Sequence, residues 1–253
     1  MDAPFELAAV GPADLALIAL VAFAASIVGG LAGYGTGLVL PIFLAPVVGV
    51  ANVIPVMAVG MLLNNGSRVI AFRDAIEWPH VRRILLFGLP ACIAGAYGYT
   101  LLEGRTIALL IGAFLILSVP LRRWLAHVDA SIGPNAERGA GALFGFINGG
   151  MTGAGTVLIA ILMAAGVQGA GLIATDAIIS IVMGLTKVAL FGSLARLPAD
   201  LALAGLAIGI CTVPGAFVAR WLLRHIPLRV HTLVMEAIVL IGGGSFVLRA
   251  IRG

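Results

Sequence analysis

Two stretches rich in glycine and threonine, about half a chain apart, are the residues here best suited to hold a ligand. GGLAGYGTGLVL occupies 29–40 and GGMTGAGTVLIA occupies 149–160. At an offset of 120 they share Gly29/Gly149, Gly30/Gly150, Gly33/Gly153, Gly35/Gly155, Thr36/Thr156 and Leu38/Leu158. Glycine runs inside apolar sequence interrupt a helix and free backbone N–H groups. In lipid that is costly unless the freed groups face protein, water or a ligand. The half-helix that follows aims its N-terminus, about half a positive charge, at the break. Two such breaks in matching places suit a small anion. The binding set this predicts is Gly33, Gly35, Thr36 and Gly37 with Gly153, Gly155 and Thr156. The competing reading is close helix packing through small residues.

Bases sit near both breaks. GSRVIAF (66–72) lies over LTKVALF (185–191) at an offset of 119, which pairs Arg68 with Lys187, and Pro79 meets Pro198 at the same offset. A base in an apolar span is expensive and marks a functional position, so both could supply charge for an anion. The alternative is that each snorkels to a span end. Asp176 lies eleven residues before Lys187 on the same helical face. Its counterpart in the first half, Val56 or a neighbour, is apolar. It is the coupling candidate, a carboxylate that can take up a proton; helix capping or pairing with a base on another span are equal alternatives. Asn64 is a further candidate for substrate contact. Asn65, Ser67, Asn148 and Thr175 flank the same regions, where interhelical hydrogen bonding is the commoner role. Glu236 reads as a structural partner.

Composition sets the surroundings of these groups. Of 253 residues, 61% are apolar, 34 more are glycine and only 10% are charged. That leaves too little polar side chain to cover a water-facing globule. With a mean hydropathy of +1.15, the chain is an all-α integral membrane protein. A soluble enzyme, a disordered chain and a disulfide scaffold are excluded. The net charge of +4 comes from arginines at helix ends and implies no nucleic acid. Cys92 and Cys211 lie in apolar stretches and suggest neither a disulfide nor a metal site. No P-loop, HExxH or GxSxG is present. The histidines at 80, 127, 225 and 231 fall in or beside expected loops. Enzyme chemistry, cofactors and metals are therefore not expected.

At about 30 residues per crossing, the length predicts about eight transmembrane helices. Positions 15–67 carry no charge. They hold a first span at 14–32, a segment broken by glycine and Pro41 at 33–50, and a second span at 51–70. The segment 73–83 reads as a surface loop. Spans three and four are 84–102 and 106–121, joined by a turn at 103–105. Span five, 139–165, is broken at 149–155, and three more follow at 170–192, 201–222 and 230–249. The expected organisation is a first repeat at 1–121, a polar connection at 122–138 and a second repeat at 139–253, each with a glycine-rich broken or re-entrant segment. Four crossings per half make the repeats parallel, and an odd number makes them inverted. Counting eight crossings, the positive-inside rule places both termini in the cytoplasm, although Arg220, Arg224 and Arg229 fall on the wrong face for this.

The motif GGLAGYGTGLVLPIFL, its near-copy GFINGGMTGAGTVLIAIL and two apolar halves of this length resemble the sulfite exporter family TauE/SafE over nearly the whole chain. The resemblance implies a multi-pass transporter in the bacterial inner membrane that moves sulfite, sulfonates or related anions, typically in export. The chain departs from the family's usual glycine pattern at Tyr34, Thr36, Thr152 and Ala154, which bears on the choice of anion. The expected function is secondary transport of a small organosulfur or inorganic sulfur anion by alternating access between two repeats. A proton is the expected coupling ion, the lipid bilayer the surroundings, and a homodimer a possible assembly. The competing reading is a membrane subunit that anchors a larger complex and holds no ligand.

Overall fold

The computed structural model describes residues 5–32, 36–125, 131–222 and 229–252. Among them the chain is helical throughout. The helices are α1 (Pro12–Ala32), α2 (Thr36–Val48), α3 (Val53–Phe72), α4 (Trp78–Thr100), α5 (Gly104–Leu125), α6 (Pro134–Gly150), α7 (Gly155–Ala164), α8 (Gly169–Ser193), α9 (Ala199–Leu222) and α10 (Arg229–Arg252). Six of them, α1, α3, α4, α5, α8 and α9, are long and apolar enough to cross a membrane. That is fewer than the eight expected. The fifth expected span is two helices, α6 and α7, because the GGMTGAG break separates them fully. In α10 the described apolar stretch is Val239–Leu248. At 1.5 Å per residue α2 is about 20 Å long and α7 about 15 Å, too short for a core of about 30 Å.

Three further boundaries differ from expectation. The segment 73–83 is not one loop: a short 3₁₀ turn (Arg73–Ala75) leads directly into α4 at Trp78. Pro79 is tolerated there because the first helical turn has no N–H partner to lose. Helix α5 runs on to Leu125, and α6 starts at Pro134, so helix occupies much of the expected connection. Pro41 does not break its segment. Both Pro41 and Pro46 lie inside α2. Pro41 cannot donate to the Gly37 carbonyl, four residues back. That carbonyl instead accepts a bond of 2.8 Å from the Thr152 hydroxyl.

The core is the pair α3 and α8, which run antiparallel. Arg68 of α3 meets Asp176 of α8. Further along, a Cβ on Gly184 would meet the Leu62 side chain and the Ala58 carbonyl. Helix α9 packs on α1 and α3, α4 packs on α6 and α8, and α5 pairs with α10. Helix α2 also touches α10, and α7 touches α5. α2 doubles back along α1, so that Leu44, Val47 and Val48 share an apolar cavity with Leu15 and Ile18. The closest approach is between α4 and α6. Gly141 lies against Ile84, Gly145 against Gly88, and Gly149 against Cys92 and Ala96. Here glycine permits backbone-to-backbone contact, so Gly149 of the second motif is a packing residue.

This path regroups the charges. The ends of α3 and α5 lie with the starts of α4, α6 and α8. The bonds from the Glu77 amide to Thr175 Oγ1, and from His80 and Arg83 to Glu137, tie those starts together. α9 runs parallel to α3, with Gly205 beside Val56 and Gly209 beside Leu63. α10 runs antiparallel to α5, with Gly243 beside Ile116 and Val247 beside Gly112. The end of α9 and the start of α10 therefore lie at the same end, where Arg73, Arg82, Arg83, Arg122, Arg123 and Arg138 already sit. Arg196, Arg249 and Arg252 go to the opposite end with Arg105. The face assignment read from eight crossings is thus corrected for Arg196, Arg220, Arg229, Arg249 and Arg252, while Arg224 lies outside the described residues.

Candidate functional site

A cavity of about 70 Å³ opens between α3 and α8 where the two glycine breaks meet. It has room for about five water-sized groups, the scale of a small anion. Of the sequence-predicted residues, Thr36, Gly37, Asn64, Arg68, Gly153, Gly155, Asp176 and Lys187 all line it. Thr156 does not line it. It lies in the first turn of α7, and its hydroxyl donates to the Gly153 carbonyl at 3.3 Å. Gly33 and Gly35 lie outside the described residues, as do the side chains of Glu236, His127, His225 and His231.

The two breaks touch. A Cβ on Gly37 would come within 2.9 Å of the Gly153 amide nitrogen. Gly153 has φ +80°, a conformation that suits glycine, and a Cβ there would strike the Leu38 side chain. The Thr36 hydroxyl donates to the Ala25 carbonyl of α1 at 3.1 Å, so it ties α2 to the end of α1. Gly155, the first residue of α7, presents that helix's N-terminus to the cavity.

The buried ionisable groups divide unequally. Arg68 is 4% exposed. Its Nη2 lies 2.7 Å from Asp176 Oδ2, and its Nη1 donates to Asn65 Oδ1 at 3.1 Å. Asp176 is therefore not isolated: of the alternatives open in the sequence, it pairs with a base on another helix. Arg68 Nε and Asp176 Oδ1 are buried without a hydrogen-bond partner. Lys187 is 9% exposed, and its Nζ donates to the Asn148 carbonyl at 3.0 Å. No carboxylate among the described residues reaches it. Neither base snorkels.

Sequence reasoning missed several residues. Met57, Met61 and Met151 form a thioether wall, and Thr152 and Ser180 also line the cavity. Thr152 was findable, since it sits inside the second glycine motif. The methionines were not, because they resemble the rest of an apolar helix. His80 is also not a solvated loop residue. It lies in α4, with its Nδ1 2.7 Å from Glu137 Oε1, while Arg83 holds the other carboxylate oxygen at 3.0 Å. That cluster clamps the start of α4 to the start of α6. Cys92 and Cys211 are free thiols. Among the described residues no group of three or more His, Cys, Asp or Glu is arranged to hold a metal ion.

The family described as Sulfite exporter TauE/SafE matches residues 18–246. No curated protein and no solved structure matches the chain.

Proposed function

Because the chain belongs to the sulfite exporter TauE/SafE family, a family of multi-pass membrane transporters of sulfur anions, we propose that it exports a small organosulfur or inorganic sulfur anion, such as sulfite or a sulfonate, from a site between α3 and α8. The observation that carries this reading is Lys187, a buried cation at the cavity wall with no carboxylate against it among the described residues. A buried charge without a partner is costly, and an anionic ligand supplies the missing counter-charge. Gly153, Gly155 and the α7 N-terminus lie on the same wall and add partial positive charge. The methionine wall offers polarizable surface for a sulfur-bearing group.

The packing supports two repeats, α1–α5 and α6–α10. Exchanging them turns the α1–α9 contact into α6–α4 and α3–α9 into α8–α4. It turns α2–α10 into α7–α5 and leaves α3–α8 and α5–α10 as they are. The self-matched pairs are antiparallel, so the repeats are inverted. Each consists of a hairpin at its glycine break followed by three long helices, an odd number of traverses whether the hairpin counts as none or two. Rocking one repeat against the other then exposes the cavity alternately to each side. Asp176 stays the candidate for proton coupling. Inverted repeats also place both termini on one side, opposite the end that holds Arg73, Arg82, Arg83, Arg122, Arg123 and Arg138. By the positive-inside rule that basic end is cytoplasmic and the termini face outward. Single cysteines test this orientation. An impermeant maleimide added to whole cells should label position 103 and not position 74; the reverse pattern overturns it.

The transport reading is tested on purified protein and in proteoliposomes. Sulfite or methanesulfonate should raise the thermal unfolding temperature and be carried across the bilayer, and Lys187→Ala should remove both effects. A wild-type protein that neither anion stabilises, and that moves neither, overturns the reading in favour of a ligand-free assembly subunit.

A further inference from the structure

We infer that the cavity is built for an anion carrying one negative charge, and that Asp176 sets this limit by cancelling Arg68. The inference rests on the anion-transport reading above and names the charge class of its substrate. Among the described residues, the ionisable ones that line the cavity are Arg68, Asp176 and Lys187. Arg68 and Asp176 form a close pair at 2.7 Å, so together they contribute no net charge. Lys187 contributes one. Its contact, the Asn148 carbonyl, lies in the last turn of α6, where the helix dipole offsets only part of a unit charge. The walls therefore hold a net charge of one, and one negative charge on the ligand balances it. A second negative charge would be buried without a counter-ion, which is costly at this depth.

The asymmetry has an identifiable origin. Arg68 lies level with Asp176, and Ala58 and Leu62 lie against Gly184. Carrying that antiparallel register one turn further brings Met57 level with Lys187, and both line the cavity. In one half the base meets a carboxylate; in the other, the residue that the register places level with the base is a methionine. The two buried polar atoms without partners, Arg68 Nε and Asp176 Oδ1, belong to lining residues. They independently point to a polar occupant.

The test compares sodium methanesulfonate, a monoanion, with sodium sulfate, a dianion of similar size, by calorimetric titration of the purified full chain at equal ionic strength and pH 7. Wild type should bind methanesulfonate at least about tenfold more tightly than sulfate. Asp176→Asn frees the guanidinium and should move that ratio toward sulfate by about tenfold or more. The double variant Arg68→Gln with Asp176→Asn restores the net charge of one. It should return the ratio to the wild-type side, whatever its affinity for either salt. Met57→Glu places a carboxylate level with Lys187 and should abolish methanesulfonate binding; it carries the test if Asp176→Asn does not fold. Equal wild-type affinity for the two salts, or a Met57→Glu protein that binds methanesulfonate normally, overturns the charge limit and leaves the anion site standing. Failure of wild type to bind methanesulfonate, sulfate and sulfite alike overturns the anion site itself.

Discussion

Arg68 and Lys187 stand 119 positions apart at corresponding places in the sequence, on the two antiparallel helices that wall the cavity. Both are buried, at 4% and 9% exposure. Arg68 is held by Asp176 and Asn65. Lys187 is held by a single neutral carbonyl. The glycine breaks diverge in the same way. In the first, Pro41 frees the Gly37 carbonyl. In the second, Ile161 stands at the corresponding position and keeps its N–H, while Thr152 reaches across to the carbonyl that Pro41 left open. In both places the second half supplies a group that the first half lacks. The two bases therefore differ in their partners: Arg68 meets a carboxylate, and Lys187 meets none among the described residues.

The sharpest way to break this comparison is to remove the two bases one at a time. Arg68→Ala strands Asp176 without its counter-ion and should cost about 3–5 kcal/mol of stability. Lys187→Ala strands no charge, so it should leave the unfolding temperature of the ligand-free protein unchanged or raised, yet lose anion binding. Replacing both Arg68 and Asp176 with apolar residues should recover most of the Arg68→Ala loss. Equal destabilisation by the two single alanines, read from thermal melts in detergent, would erase the distinction.

Next in size are the glycines where the breaks touch. Gly153→Ala meets both a left-handed φ of +80° and the Leu38 side chain. It should cost about 1–2 kcal/mol for the backbone alone, with loss of transport while the protein remains in the membrane. Gly37→Ala faces only the close Gly153 backbone and should cost less. Gly66→Ala, where a Cβ meets nothing within 4 Å, should be silent in both assays. A silent Gly153→Ala would show that the breaks do not need this contact.

The cross-half hydrogen bond gives a smaller effect and a rescue. Thr152→Val leaves the Gly37 carbonyl buried and unpaired, at a cost of about 1–3 kcal/mol. Pro41→Ala supplies the missing helical N–H, so adding it to Thr152→Val should recover part of that loss. Strictly additive losses in the double variant would sink the explanation. Thr156→Val should have the smallest effect, about 1 kcal/mol or less, since its hydroxyl bonds only within its own turn at 3.3 Å.

Much of the site was legible from the chain. Glycine spacing located both breaks, because only glycine permits the close approach of Gly37 to Gly153. Burial cost singled out Arg68, Lys187 and Asp176, because few charges are placed in apolar spans without use. The count of crossings was less legible. Hydropathy reports apolar length, and it cannot distinguish one broken span from two short helices that meet at an angle. The role of Gly149 was also ambiguous, since one glycine pattern serves both a cradle and a tight α4–α6 contact.

By itself, the sequence determined the membrane class, the helical architecture and some of the residues that line the cavity, since each follows from composition or from local spacing. The tertiary structure decided which charge meets which. The Arg68–Asp176 pair and the lack of a carboxylate against Lys187 among the described residues depend on the antiparallel register of α3 and α8, which no local pattern encodes. It also decided the grouping of the arginines, because α2 doubles back along α1 and α7 ends beside Ile132, just before α6, which changes which helix ends share a face. Local chemistry is written residue by residue, whereas the net charge of a cavity is a sum over helices that only packing brings together.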